Sequence, residues 1–174
     1  RLYKGELWGK FAGAIDYEQK HHRDFGNHML VVPDALGRWR QVTTFLFLCD
    51  VDRNNGATAI VPRSKTSHIP LSVMRADESL EADEILLEGK AGTLLLYTTD
   101  VFHRGTNLTG EQTSRFMLLS DFKPADMAWG GRHAWPEYGH RKEMIEFLSA
   151  IGADQRSLFD FPPPGHAYWT AQTL

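Results

Sequence analysis

The sequence predicts a mainly β chain, an antiparallel barrel or sandwich with helical additions. Two observations carry this. Short runs rich in β-branched and aromatic residues recur through the first two-thirds of the chain, separated by Gly, Pro, Asn and Asp clusters. A good helical period occurs only once, near the C-terminus.

Taken in order, "ELWGKFAGAIDY" (Glu6 to Tyr17) mixes aromatics and β-branched residues with glycines that bend or thin a strand. "HMLVVP" (His28 to Pro33) is a short apolar strand stopped by its proline. "WRQVTTFLFLCDV" (Trp39 to Val51) alternates at first and is then apolar on both faces, as a central strand should be. Within it, Cys49 reads as a buried thiol. In "DRNNGATAIVP" the pair Asn55-Gly56 predicts a tight hairpin, with Ala57 to Val61 as the returning strand. "EILLE", "GTLLLY" and "SRFMLLSDF" supply three more strands. "EYGHRKEMIEFLSAIG" sets Met144, Ile145, Phe147, Leu148 and Ile151 on one broad side of a helix that Gly152 ends. The tail "FPPPGHAYWTAQTL" reads as an ordered wrap.

The bulk numbers fit one domain over residues 1–174, with segments before Arg1 and after Leu174 left open. Hydrophobic residues make up 42% and charged residues 24%, which argues against disorder. A net charge of −3 offers no broad basic face to a nucleic acid. No apolar stretch approaches the ~20 residues that span a bilayer. With one cysteine and no visible signal peptide, the expectation is a cytoplasmic protein without an internal disulfide, in which the sequon at Asn107 is idle.

The stretch "KHHRDFGNHML" (Lys20 to Leu30) crowds three histidines, an arginine and an aspartate before an apolar run. In an extended chain, residues two apart share a face, so His22 and Asp24 project together and His21 points away. Alone, His-x-Asp is a weak signal. Farther on, an apolar strand leads through a polar loop to His103, and the next strand carries Arg115. His22, Asp24 and His103 would give two imidazoles and one carboxylate, a facial set for iron(II) that leaves three positions open. Arg115 on the neighbouring strand would clamp a carboxylate with two parallel hydrogen bonds.

In order, "HRD", "DRNNGATAIVPRSKTSH", "VFHRGTN" and Arg115 resemble the phytanoyl-CoA dioxygenase family of iron(II)/2-oxoglutarate-dependent oxygenases. The resemblance covers most of the chain. It implies a double-stranded β-helix, a jelly-roll or cupin-like barrel. It also implies metal ligation by His22, Asp24 and His103, with cosubstrate binding by Arg115. The activity implied is a dioxygenase using iron(II), 2-oxoglutarate and dioxygen to hydroxylate an unactivated carbon of a small molecule, releasing succinate and carbon dioxide. The carboxylate of Asp24 favours hydroxylation or desaturation, because related halogenating enzymes carry a small residue there. The chain departs from the family at Pro62-Arg63-Ser64-Lys65, where Pro-Gly-Ser-His is usual, and at Gly105, where many relatives have serine or threonine.

Other residues have weaker claims. His21, His28 and His68 read as pocket-lining or surface groups, and His133, His140 and His166 receive no role. Phe45 reads as core, and Arg38, Arg40, Arg63 and Lys65 read equally as a group that would steer an anionic substrate or as a solvated rim. Two alternatives stay open: a jelly-roll metal hydrolase or isomerase on the same ligand set, and a binding module with a vestigial site. The partner expected is a small-molecule substrate, with neither nucleic acid nor membrane; oligomeric state is not readable.

Overall fold

A computed structural model describes residues 1–13, 16–24, 41–70, 73–111, 114–125 and 141–171. Among these described residues seven strands form: β1 (Leu2–Phe11), β2 (Val42–Phe47), β3 (Thr58–Val61), β4 (Ile85–Leu87), β5 (Leu94–Thr98), β6 (Phe102–Gly105) and β7 (Ser114–Phe122). All their ladders are antiparallel. They make a four-stranded sheet in the order β1-β7-β2-β5 and a three-stranded sheet in the order β4-β3-β6.

The period of two explains how they pack. Along β7, Arg115, Met117, Leu119 and Asp121 are buried while the residues between them are partly or fully exposed. Met117 and Leu119 join Phe45, Phe47, Val51 and Ala57 in a core also touched by Leu86 and Leu87 of the smaller sheet. A second cluster gathers Val61, Ile69, Leu80 and Phe102. Burying each large side chain contributes about 1.5–3 kcal/mol. This is the mainly β, double-stranded β-helix architecture expected, and β2 is interior to its sheet as its sequence predicts.

Asn55-Gly56 does not close a hairpin. β2 pairs with β5 and β7, whereas β3 pairs with β4 and β6, so this turn carries the chain from one sheet to the other. Only Gly56 of the pair has positive φ, at 82°. The Asn55 side chain instead braces the loop, donating to the Asp50 carbonyl at 2.7 Å and accepting from the Asp52 N–H at 2.8 Å.

The smaller elements differ from expectation in part. A short helix α1 (Arg63–Thr66) occupies the segment where the family pattern is broken. Helix α2 (Lys142–Ala150) buries none of its residues, and Ile145 and Phe147 are exposed, so its apolar side is not a core face among the described residues. Gly152 lies past its end with ordinary negative φ and caps α3 (Ala153–Arg156) instead. The tail folds on itself: Trp169 Nε1 donates to the carbonyls of Pro162 and Pro163, both at 3.0 Å, and its ring stacks on Phe161. Cys49 is half-buried, its sulfur 3.3 Å from the Phe116 N–H. The proposed strand at His28 to Pro33 lies outside the described residues, as do residues 137–140 of the proposed helix. Among the described residues no helix is long and apolar enough to cross a membrane.

Candidate metal centre and anion pocket

His22 stands on an extended segment that adds to the edge of the three-stranded sheet. It exchanges both backbone hydrogen bonds with His103 of β6, at 2.9 and 3.0 Å, and bridges to Arg75 on its other side. Two residues so paired sit directly opposite, and their rings meet at a centroid distance of 4.5 Å. The sequence suggested a loop for His103; a strand holds it more firmly, because Ile60 of β3 pairs with it as well.

The two imidazoles are oriented in the same way. His22 Nδ1 is 2.8 Å from the Lys20 carbonyl, and His103 Nδ1 is 3.1 Å from the Val101 carbonyl. A carbonyl can only accept, so each Nδ1 carries a proton, and in the neutral ring Nε2 is left with a lone pair. Both Nε2 atoms face Asp24: His22 at 3.6 Å from Oδ1, His103 at 3.2 Å from Oδ2. One ligand-type atom from each of the three lies within 4.8 Å of the others. Such hydrogen-bonded carbonyls behind the rings are the support that metal-ligating histidines use.

The electrostatics reflect a carboxylate shared by two rings. Burial lowers the pKa of His22, and the charge of His103 lowers it further. For His103 burial pulls the same way, but the hydrogen bond and charge of Asp24 outweigh it and the net shift is upward.

The intervening residues point to the other side. Arg23 is buried, donating to the carbonyls of Asp100 and Pro70, each at 2.8 Å, with its guanidinium over the Phe102 ring. His21 is buried too, its Nε2 2.7 Å from Glu84 Oε1. Replacing His21 with alanine should therefore leave iron(II) affinity close to the parent's. The same change should lower the melting temperature, because it strips a partner from the half-buried Glu84. Parallel metal titration and thermal unfolding check this; a loss of iron affinity matching that of a His22 variant would refute the strand-phase argument.

Arg115 is fully buried. Its Nη2 donates to the Gly56 carbonyl, while Nε and Nη1 have no hydrogen-bond partner. Neither Asp121 nor Glu111 bridges to it: Asp121 accepts from Thr43 at 2.5 Å and faces Lys4 at 3.7 Å. Burial holds the guanidinium's pKa down to about 10, which still leaves it charged at neutral pH. Buried N–H groups are almost always paired in native proteins, so two orphans on one guanidinium mark a place where an acceptor is expected.

Arg115, His22, Asp24 and His103 all line one cavity of about 710 Å³. Phe45, Met117 and Leu119 supply its apolar floor, so Phe45 serves core and cavity at once. The inward face of β1 supplies Lys4, Glu6, Trp8 and Lys10. Sequence reasoning did not single these out, although their spacing of two was the available signal. Gly105 also lines the cavity, and a Cβ there would stand 3.0 Å from Gln19 Oε1, which accepts from its N–H.

The remaining named residues lie elsewhere. Arg63 pairs with Asp100, Lys65 with Asp83 and His68 with Glu78, and none of the three lines the cavity. His166 accepts from the Tyr168 N–H in the tail. Arg38, Arg40, His28, His133 and His140 lie outside the described residues.

Solved structures share this fold. The carbocyclase SnoK from nogalamycin biosynthesis superposes with a TM-score of 0.57 at 16% identity, over 87% of this chain and 56% of its own. EctD from S. alaskensis, solved with bound iron, gives 0.52 at 18% identity over 73% and 46%. HygX from Streptomyces hygroscopicus, solved with nickel and 2-oxoglutarate, gives 0.50 at 16% identity over 72% and 58%. The chain thus spans about half the length of these structures. No curated protein sequence matches it. The phytanoyl-CoA dioxygenase (PhyH) family model matches residues 10–117, a stretch that runs from Lys10 on β1 through both histidines to Arg115, and to that family the chain belongs.

Proposed function

We propose that the protein is an iron(II)- and 2-oxoglutarate-dependent dioxygenase that hydroxylates an unactivated carbon of a small organic molecule. In this reading His22, Asp24 and His103 hold the iron, and Arg115 binds the distal carboxylate of 2-oxoglutarate. The observation that carries it is the meeting in one cavity of a His-Asp-His cluster and a buried guanidinium with two unpartnered N–H groups. The donor set fits the group. Two neutral imidazoles and one carboxylate suit a divalent iron and leave part of its coordination sphere free for the cosubstrates.

When bound, iron(II) supplies the chemistry that couples oxidative decarboxylation of 2-oxoglutarate by dioxygen to oxidation of the substrate. The chain's own part is positioning. The Lys20 and Val101 carbonyls hold the two imidazoles in the tautomer that presents Nε2. Arg115 fixes the far end of the cosubstrate, and the apolar floor of Phe45, Met117 and Leu119 limits water near the reacting atoms. A cytoplasmic location, a small-molecule substrate and no nucleic-acid partner belong to the same proposal. The fold is shared with a carbocyclase, which makes ring formation the second outcome to assay.

Anaerobic titration of the apoprotein with iron(II) and then 2-oxoglutarate should develop the visible metal-to-ligand charge-transfer band. Slow substrate-free succinate release, coupled to oxygen use, should follow on admitting air. Zinc should compete for the site yet support no oxygen uptake, since it has no accessible redox change. Oxygen-independent hydrolysis by the zinc form, without any 2-oxoglutarate binding, would favour the hydrolase alternative.

A further inference from the structure

We propose that Lys10 is a second cation of the cosubstrate pocket, donating to the same distal carboxylate as Arg115. The inference rests on the 2-oxoglutarate reading above and adds a positioning residue to it.

Lys10 and Arg115 are partners in the register of β1 with β7, and both side chains line the cavity. The lysine is buried, at 6% exposure. Its Nζ donates to the carbonyls of Gly56, at 3.1 Å, and Thr106, at 2.5 Å. The Gly56 carbonyl also accepts from Arg115 Nη2, so the two cations converge on one oxygen atom. An ammonium has three N–H donors, and carbonyl dipoles use two of Lys10's. Among the described residues no carboxylate lies within ion-pair distance of Lys10 or Arg115.

Two like charges sharing a desolvated pocket without a counter-ion oppose each other and the fold. A carboxylate between them reverses the sign of both effects. Arg115 on β7 and Arg104 on β6 act on Lys10 as like charges, and the Tyr17 ring centroid lies 5.4 Å from its Nζ. Burial first, and then the charges of Arg115 and Arg104, bring the lysine's pKa down to about 7. Gly56 keeps the arrangement possible. A Cβ at its position would lie 2.8 Å from Lys10 Cδ and 3.1 Å from the Thr106 carbonyl oxygen.

A lysine that only braced the Gly56 and Thr106 carbonyls would look similar, and the probes are chosen to separate the two roles. Iron-loaded wild type, Lys10→Met and Lys10→Gln are titrated anaerobically with 2-oxoglutarate and with 2-oxobutanoate, which lacks the distal carboxylate. Glutamine keeps donors for the carbonyls and serves where the methionine variant does not fold. Loss of a charge-assisted hydrogen bond should weaken 2-oxoglutarate roughly ten- to a hundred-fold. Binding of 2-oxobutanoate and of iron should not change. Equal losses for both oxo acids, or no loss for either, overturn the role of Lys10 and leave the oxygenase reading intact. A wild-type protein that binds no 2-oxoglutarate overturns that reading and the inference with it.

Discussion

Replacing Arg115 with alanine should weaken 2-oxoglutarate binding by about thirty-fold to several-thousand-fold while leaving iron affinity nearly unchanged. The magnitude follows from the burial. Removing one member of a desolvated charge pair costs ~2–5 kcal/mol, and ~1.4 kcal/mol is tenfold in affinity. Lysine at this position should restore part of the loss, since it keeps the charge but cannot offer two parallel donors. The structure also sets an expectation for stability. Arg115 has no carboxylate partner among the described residues, so it is not a buried ion pair whose rupture unfolds the chain. In the absence of cosubstrate, the volume-preserving Arg115→Met should melt no lower than the parent, because it removes an uncompensated buried charge. Added 2-oxoglutarate should raise the melting temperature of the iron-loaded parent and not that of the variant. Normal cosubstrate affinity in Arg115→Ala would remove the assignment and weaken the oxygenase reading as a whole.

What the sequence made legible follows the period of two. The alternation in "SRFMLLSDF" is the burial pattern of β7, and it turns Arg115 inward. The same period separates His22 and Asp24 from His21, whose side chain faces Glu84. β1 was misleading because its pattern is inverted. Leu7 and Phe11 are exposed on one face, while buried Lys4 and Lys10 share the inward face with Glu6 and Trp8. Burial rules assign the apolar side to the core, and a strand that lines a polar cavity breaks them. Asn55-Gly56 misled for a related reason. Its local chemistry suits a hairpin, but the glycine's clearance is used to bring Lys10 and Arg115 onto one carbonyl. Local turn preference cannot report which sheet the next strand joins. The apolar side of α2 shows the converse, a periodicity satisfied without burial among the described residues.

The largest effect is expected at the proposed ligands themselves. Asp24→Ala and His103→Ala should each reduce iron(II) affinity severely and abolish succinate formation. Either variant removes one of the three donors, and no fourth His, Cys, Asp or Glu joins the cluster among the described residues to replace it. Losing a group that merely supports a ligand typically costs roughly ten- to a hundred-fold in metal affinity, so loss of a ligand should exceed that. The two variants should differ in one respect. Asp24→Ala removes the only negative charge in the cluster and leaves two close-set rings, so any residual binding should shift from iron(II) toward softer, imidazole-preferring ions such as copper. His103→Ala keeps the carboxylate, and its backbone ladder to His22 does not depend on the side chain. Circular dichroism should therefore stay close to the parent's in both, which separates metal loss from unfolding. Anaerobic iron(II) titration of the apoproteins reads the affinities directly. A folded Asp24→Ala protein that bound iron as the parent does would show that the metal sits elsewhere, and the His-Asp-His assignment would fall.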